Sequence, residues 1–167
     1  MNAERLKSLL NLVPLTVEGG YFVETYRSAE SISHECLADR YSGPRTFGTC
    51  IYFLLEPNTF SEIHRLASDE IFHFYLGDPV EMLQLWPDGS AKRVVIGAEI
   101  ESGMVPQLIV PRGVWQGTRL LPGGGFALLG CTVSPGFEYA DYESGSRTLL
   151  SERYPEYREL IRALTRS

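Results

Sequence analysis

The chain has 167 residues, 44% of them hydrophobic and 22% charged, and a formal net charge of −6 at pH 7. That length suits one domain with a sizeable core, and the acidic balance argues against a nucleic-acid partner, which would need a basic surface to meet phosphates. Three cysteines without CxxC spacing argue against a disulfide framework or a zinc site. Their mostly apolar neighbours read as the setting of buried free thiols.

From the start, Ala3 to Leu12 has helical periodicity, with Leu6, Leu9 and Leu10 on one face, and Val13-Pro14 ends it. This opening segment is charged and amphipathic and lacks the apolar centre of a secretion signal. No later apolar run reaches the length of a membrane span. A cytoplasmic protein without a membrane partner is the expectation. Glu18-Gly19-Gly20 reads as a turn and Tyr21 to Arg27 as a strand rich in aromatic and β-branched residues. Ser28 to Pro44 is a polar loop holding His34. Thr46 to Glu56 is a strand without polar alternation, which suggests burial on both faces.

Next comes the densest polar run of the chain, Ser61 to Gly77. Ser68-Asp69 reads as a tight turn, with the flanking residues as two strands of a hairpin. His64 near the end of one strand and Glu70 at the start of the next would bring an imidazole and a carboxylate together, the minimum equipment for metal ligation or acid–base work. His73 is three residues from Glu70, so strand alternation turns it to the opposite face. Val80 to Trp86 and Ala91 to Ile96 are strands about the turn Pro87-Asp88-Gly89-Ser90. Gln107 to Val110, Val114 to Leu120 and Phe126 to Val133 are further strands, and Phe137 to Tyr142 follows a break at Ser134-Pro135-Gly136. Alternation opposes Trp115 to Gln116, so Trp115 is expected outside any cavity that Gln116 faces. From Ser151 the pattern is helical again, with Pro155 in a first turn. About ten short strands with a helix at each end, without linker or repeat, make residues 1–167 a single all-β domain, a sandwich or barrel.

His64, Leu66, Glu70 and Gly77 stand at the spacing of the first cupin motif. Pro111-Arg112-Gly113 followed by Gln116 stands at that of the second. The segments Glu18 to Phe22, Ser68 to His73, Gly77-Asp78-Pro79, Val110 to Gln116 and Gly130 to Phe137 resemble the cupin-like family of small proteins of unknown function, and they run through nearly the whole chain. The resemblance implies a double-stranded β-helix, or cupin jelly roll, to which the residue pattern adds short N- and C-terminal helices. It also implies a homodimer with a small-molecule cavity in the barrel mouth. Metal-binding cupins use three histidines and a glutamate. Here Leu66 and Gln116 replace two of those imidazoles; leucine cannot ligate, and glutamine offers only a neutral carbonyl.

Without a tight metal, His64 has the side chain of a general base, since an ordinary imidazole titrates near pH 6.5, and Glu70 can orient or charge it. Gln116, Phe72 and Tyr52 are the expected ligand-binding residues. Some jelly-roll epimerases pair a histidine base with a tyrosine acid, and Tyr139 is a candidate for that acid. The expected function is therefore small-molecule binding with His64-based proton transfer on a small polar, sugar-like ligand, of isomerase or epimerase type. The alternatives are a weak divalent-metal enzyme using His64, Glu70 and Gln116, and a non-catalytic ligand-binding or structural cupin.

Overall fold

Two antiparallel sheets face each other across an apolar layer in the computed structural model, which describes residues 1–166. In chain order, helix α1 (Ala3–Leu10) leads to β1 (Val13–Pro14), β2 (Tyr21–Arg27), β3 (Ser31–Ile32), β4 (Arg45–Thr46), β5 (Thr49–Leu55), β6 (Phe60–Leu66) and β7 (Asp69–Gly77). Then come β8 (Val80–Leu85), β9 (Ala91–Ile96), β10 (Gln107–Val110), β11 (Trp115–Leu120), β12 (Ala127–Ser134) and β13 (Tyr142–Ser144), followed by α2 (Arg147–Arg153) and α3 (Arg158–Ala163). The larger sheet has the order β1-β2-β5-β12-β7-β10 and the smaller β13-β6-β11-β8-β9, while β3 and β4 form a separate pair.

Alternation explains why both sheets are amphipathic. Phe53, Leu55, Phe72, Leu129 and Cys131 of the larger sheet and Val80, Met82 and Leu120 of the smaller sheet point into one shared core. The opposite sides are covered in part by helices. Leu6 of α1 packs on Leu54 and Leu128, and α2 and α3 place Leu150 and Ile161 on Ile63, Leu83 and Leu85. The cover from α2 and α3 is why β8 is buried at every position, and the cover from α1 is why the apolar end of β5 shows no polar alternation. Each of α1 and α2 begins with a side-chain cap, from Asn2 and Ser146.

Four expectations change. Ser68 does not close a hairpin: β6 pairs with β11 and β13, whereas β7 pairs with β12 and β10, so the turn carries the chain from one sheet to the other. The strand expected from Thr46 starts at Thr49, because Arg45–Thr46 pairs instead with Ser31–Ile32 inside the polar loop. Phe137 to Tyr142 is mostly a 3₁₀ turn over Tyr139–Asp141, and its strand begins at Tyr142. Helix begins at Arg147 rather than Ser151, and Pro155 opens a 3₁₀ turn leading into α3. No helix among the described residues is long and apolar enough to cross a membrane.

Candidate functional site

The crossover at Ser68 sets His64 and Glu70 on opposite sheets, facing each other across the sandwich. Ser68 is buried and its Oγ lies 2.9 Å from the Tyr41 hydroxyl. Asp69 accepts the backbone N–H of Arg112 at 2.8 Å. The turn is thus held at both of its residues. His64 is 1% exposed and its Nε2 lies 4.0 Å from Glu70 Oε2. Gln116, directly opposite His64 in the β6–β11 register, bridges them: its Nε2 is 3.3 Å from His64 Nε2 and donates to Glu70 Oε2.

The second imidazole nitrogen fixes the tautomer. Nδ1 is 2.8 Å from the backbone carbonyl of Glu62. A carbonyl only accepts, so Nδ1 carries the hydrogen and the lone pair of the neutral ring sits on Nε2. The ring stacks on Tyr142, with centroids 4.7 Å apart and planes at 20°. The Tyr142 hydroxyl donates to Glu62 Oε1 at 3.0 Å, beside Ser144 Oγ at 2.7 Å, and Arg166 pairs with the other carboxylate oxygen at 3.2 Å. Glu62 therefore anchors His64 twice, through its carbonyl and through the tyrosine that its carboxylate holds.

Burial pushes the Glu70 carboxyl from an ordinary 4.5 up to about 7; the charge of Glu18 adds to the shift, while His64 and hydrogen bonds from Gln116 and Cys131 oppose it. Near neutral pH it can hold or release a proton. Burial also pushes the Cys131 thiol and the Tyr142 phenol up, each helped by nearby carboxylates. Both stay protonated donors.

These groups meet at a cavity of about 100 Å³, lined by the buried His64, Leu66, Glu70 and Cys131, the half-buried Tyr142 and Glu18, and the more exposed Glu24, Arg27, Glu138 and Tyr139. Not every expected residue reaches it. Gln116 sits behind His64 and Glu70, outside the lining. Phe72 is 1% exposed within the shared core. Tyr52 points to the other side of its sheet, edge-on to Tyr75 at 5.8 Å. The tyrosine beside the imidazole is Tyr142, while Tyr139 is 56% exposed. Parity holds for His73, which contacts Thr132 Oγ1 at 3.2 Å, and for Trp115, which carries the Arg65 guanidinium at 4.5 Å.

Sequence reasoning missed Glu18, Glu62, Cys131 and Tyr142. Glu18 enters the site from a turn, which follows no period, and Tyr142 from the first residue of the three-residue strand β13, too short to show one. The usable signal for Glu18 was the double glycine after it. Gly19 and Gly20 have φ of 114° and 70°, and a Cβ on Gly19 would lie 2.1 Å from the Phe60 carbonyl oxygen. Only glycine allows this tight approach.

A resident transition metal does not fit these residues. His64, Glu70 and Gln116 would have to converge three lone pairs, but Gln116 presents its NH₂ to both others, and its amide oxygen is buried without a partner. Turning the amide would set its oxygen against the Glu70 carboxylate whenever that group is ionised. Leu66 occupies a further ligand position. Among the described residues, no group of three or more His, Cys, Asp or Glu side chains is placed to hold an ion.

The family model described as "Cupin superfamily (DUF985)" matches residues 4–145. The uncharacterized protein YML079W of Saccharomyces cerevisiae is 33% identical over 134 residues, 75% of this chain and 66% of the yeast protein, so the chain spans just under two thirds of that relative. A hypothetical protein from Leishmania major is similar over all of both chains, with a TM-score of 0.88 and 33% identity. Protein SO0799 from Shewanella oneidensis is similar over 99% of this chain and 98% of its own, with a TM-score of 0.85 and 33% identity. With its two facing antiparallel sheets, its paired motif positions and a family match along most of its length, the chain belongs to the cupin superfamily, in the family DUF985.

Proposed function

We propose that this cupin binds a small, polar, sugar-like hydroxy-carbonyl compound and moves a proton on it without a tightly bound metal. His64 Nε2, once the ligand takes the place of its 3.3 Å contact with the Gln116 amide, takes the proton from the carbon next to the carbonyl. The Glu70 carboxyl gives one to the carbonyl oxygen, forming an enediol; protonated His64 then delivers its proton to the former carbonyl carbon while the Glu70 carboxylate takes the proton of the hydroxyl on the neighbouring carbon, which restores both groups. The observation that carries this reading is the His64 tautomer: Nδ1 is committed to the Glu62 carbonyl, which leaves the basic nitrogen 4.0 Å from a carboxyl that titrates near neutrality.

Base and acid face each other from the two sheets with only 4.0 Å between them. That suits transfer between adjacent atoms of one substrate, as in an aldose–ketose interconversion. Inversion at a carbon would need a second proton donor on the far face, and Tyr142 stacks on the imidazole instead. The isomerase form is therefore favoured over the epimerase form.

A thermal-shift panel of neutral sugars, amino sugars, organic acids and nucleotides tests it. At least one hydroxy-carbonyl compound is expected to raise the melting temperature in a concentration-dependent way and to be interconverted. His64→Gln is expected to lose at least ~100-fold in turnover, the usual contribution of one acid–base group, while keeping the melting shift. Binding without any turnover by the unmutated protein would favour a non-catalytic role.

A further inference from the structure

The charges around the cavity are unbalanced, and one carboxylate in it has a free oxygen. Glu18 is fixed three ways. Its backbone carbonyl accepts the N–H of Glu62 at 2.9 Å, Ser61 Oγ donates to its Oε1 at 2.5 Å, and the Gly19-Gly20 turn confines the chain just after it. No hydrogen bond among the described residues engages Oε2. Its side chain lines the cavity that also holds His64 and Glu70, which are 1% and 7% exposed. Glu18 is half-buried, and this remaining oxygen is the one that a ligand in the cavity can engage.

The lining holds four carboxylates, Glu18, Glu24, Glu70 and Glu138, against the cationic groups Arg27 and His64. Arg27 is committed at the outer edge, to Glu24 at 2.9 Å and Glu138 at 2.7 Å. Even with Glu70 uncharged and His64 protonated, three carboxylates face two cations, one of them already shared. A phosphate, carboxylate or sulfate group would find no free guanidinium or ammonium here. An ammonium would find Glu18.

We propose that the cavity selects a cationic ligand, a small hydroxylated amine such as an amino sugar, and that Glu18 Oε2 is the group that receives its ammonium. This rests on the reading of the cavity as the binding site and narrows the ligand within it. Anionic sugars and nucleotides are excluded by the same charges.

Cys131 lines the cavity and reports on its field. In a Cys36→Ser, Cys50→Ser background it is the remaining thiol of the three in the chain. Its rates of modification by aminoethyl, methyl and sulfonatoethyl methanethiosulfonate are measured, each divided by the rate with free cysteine. The cationic reagent is expected to outpace the anionic one by about tenfold or more, the scale on which a lined cleft concentrates counter-ions. Glu18→Gln keeps an acceptor for Ser61 and is expected to shrink that ratio to about threefold or less. Equal rates, or a faster anionic reagent, with normal reaction of the neutral one would overturn the charge selectivity and leave the binding cavity standing. A cation preference that Glu18→Gln leaves unchanged would overturn the role of Glu18. A thiol that even the neutral reagent cannot reach would sink both the selectivity and the open cavity.

Discussion

Glu70 is 7% exposed and pays for its burial when ionised, which gives the whole domain a pH dependence. Its folded-state pKa is about 7 against 4.5 for the free group. Between those values the folded protein holds a proton that the unfolded chain has lost. The stability linked to Glu70 is therefore complete below about 4.5 and is lost as pH rises toward and past 7. Glu70→Gln keeps an acceptor for Gln116 and removes the ionisation. It is expected to gain on the wild type between pH 5 and pH 8 by on the order of 3 kcal/mol at most, read by urea denaturation at both values. A gain that does not change with pH would contradict the shift. The two positions that depart from the metal-cupin pattern make a second prediction. Leu66 lines the cavity and Gln116 contacts both His64 and Glu70. The double variant Leu66→His, Gln116→His completes a three-histidine, one-glutamate set. It is expected to bind one divalent transition ion per chain in elemental analysis after dialysis, where the wild type retains none in stoichiometric amount.

Among the elements, the segment after β12 builds the cavity mouth, and one buried ion pair holds it. Arg45 and Asp141 have side chains 3% and 4% exposed, joined by two hydrogen bonds of 2.7 and 2.5 Å, and Arg45 also holds the carbonyls of Gly43 and Pro44. Asp141→Ala strands a buried guanidinium and is expected to cost ~3–5 kcal/mol in chemical denaturation. A loss below ~1 kcal/mol would show the pair to be solvated. Phe72→Ala is likewise expected to cost ~3–5 kcal/mol, because Phe72 fills the shared core rather than the cavity. What could be read in advance follows from this division of labour. Strands with regular alternation gave up their faces, so His64, Glu70, His73 and Trp115 were assigned correct sides. Alternation carries no information about which sheet a strand joins, so β6 and β7 looked like one hairpin. It also says nothing about depth: Phe72 shares the face of Glu70 yet sits lower in the core. Tyr52 shows a related failure, since an aromatic in an apolar strand has no polar neighbour to mark its side. Turn residues such as Glu18 and segments such as Phe137 to Tyr142 have no period at all, and seven of the 17 residues that line the cavity come from them.

At the scale of the molecule, the outer side of the larger sheet is only partly covered by α1. Tyr52, Ile71, His73, Tyr75, Ile109 and Thr132 face outward there, with Tyr75 and Ile109 49% and 55% exposed. None carries a fixed charge, in a chain of net charge −6, and interface centres are depleted in charge. We propose a second copy of the chain as the partner of this face, since an uncharged patch lets two acidic molecules meet without repulsion. Ile109→Asp is expected to convert a dimer to a monomer in light scattering; an unmutated monomer at tens of micromolar would contradict it.

The central claim is that His64 moves a proton on a bound small molecule, and hydrogen exchange with solvent reads that step directly. Ligands that raise the melting temperature are incubated with the protein in D₂O and followed by mass spectrometry. Incorporation of one deuterium at the carbon next to the carbonyl is expected with the wild type, and none above background with His64→Gln, which still shows the melting shift. Incorporation at equal rates in both proteins would contradict His64 as the base.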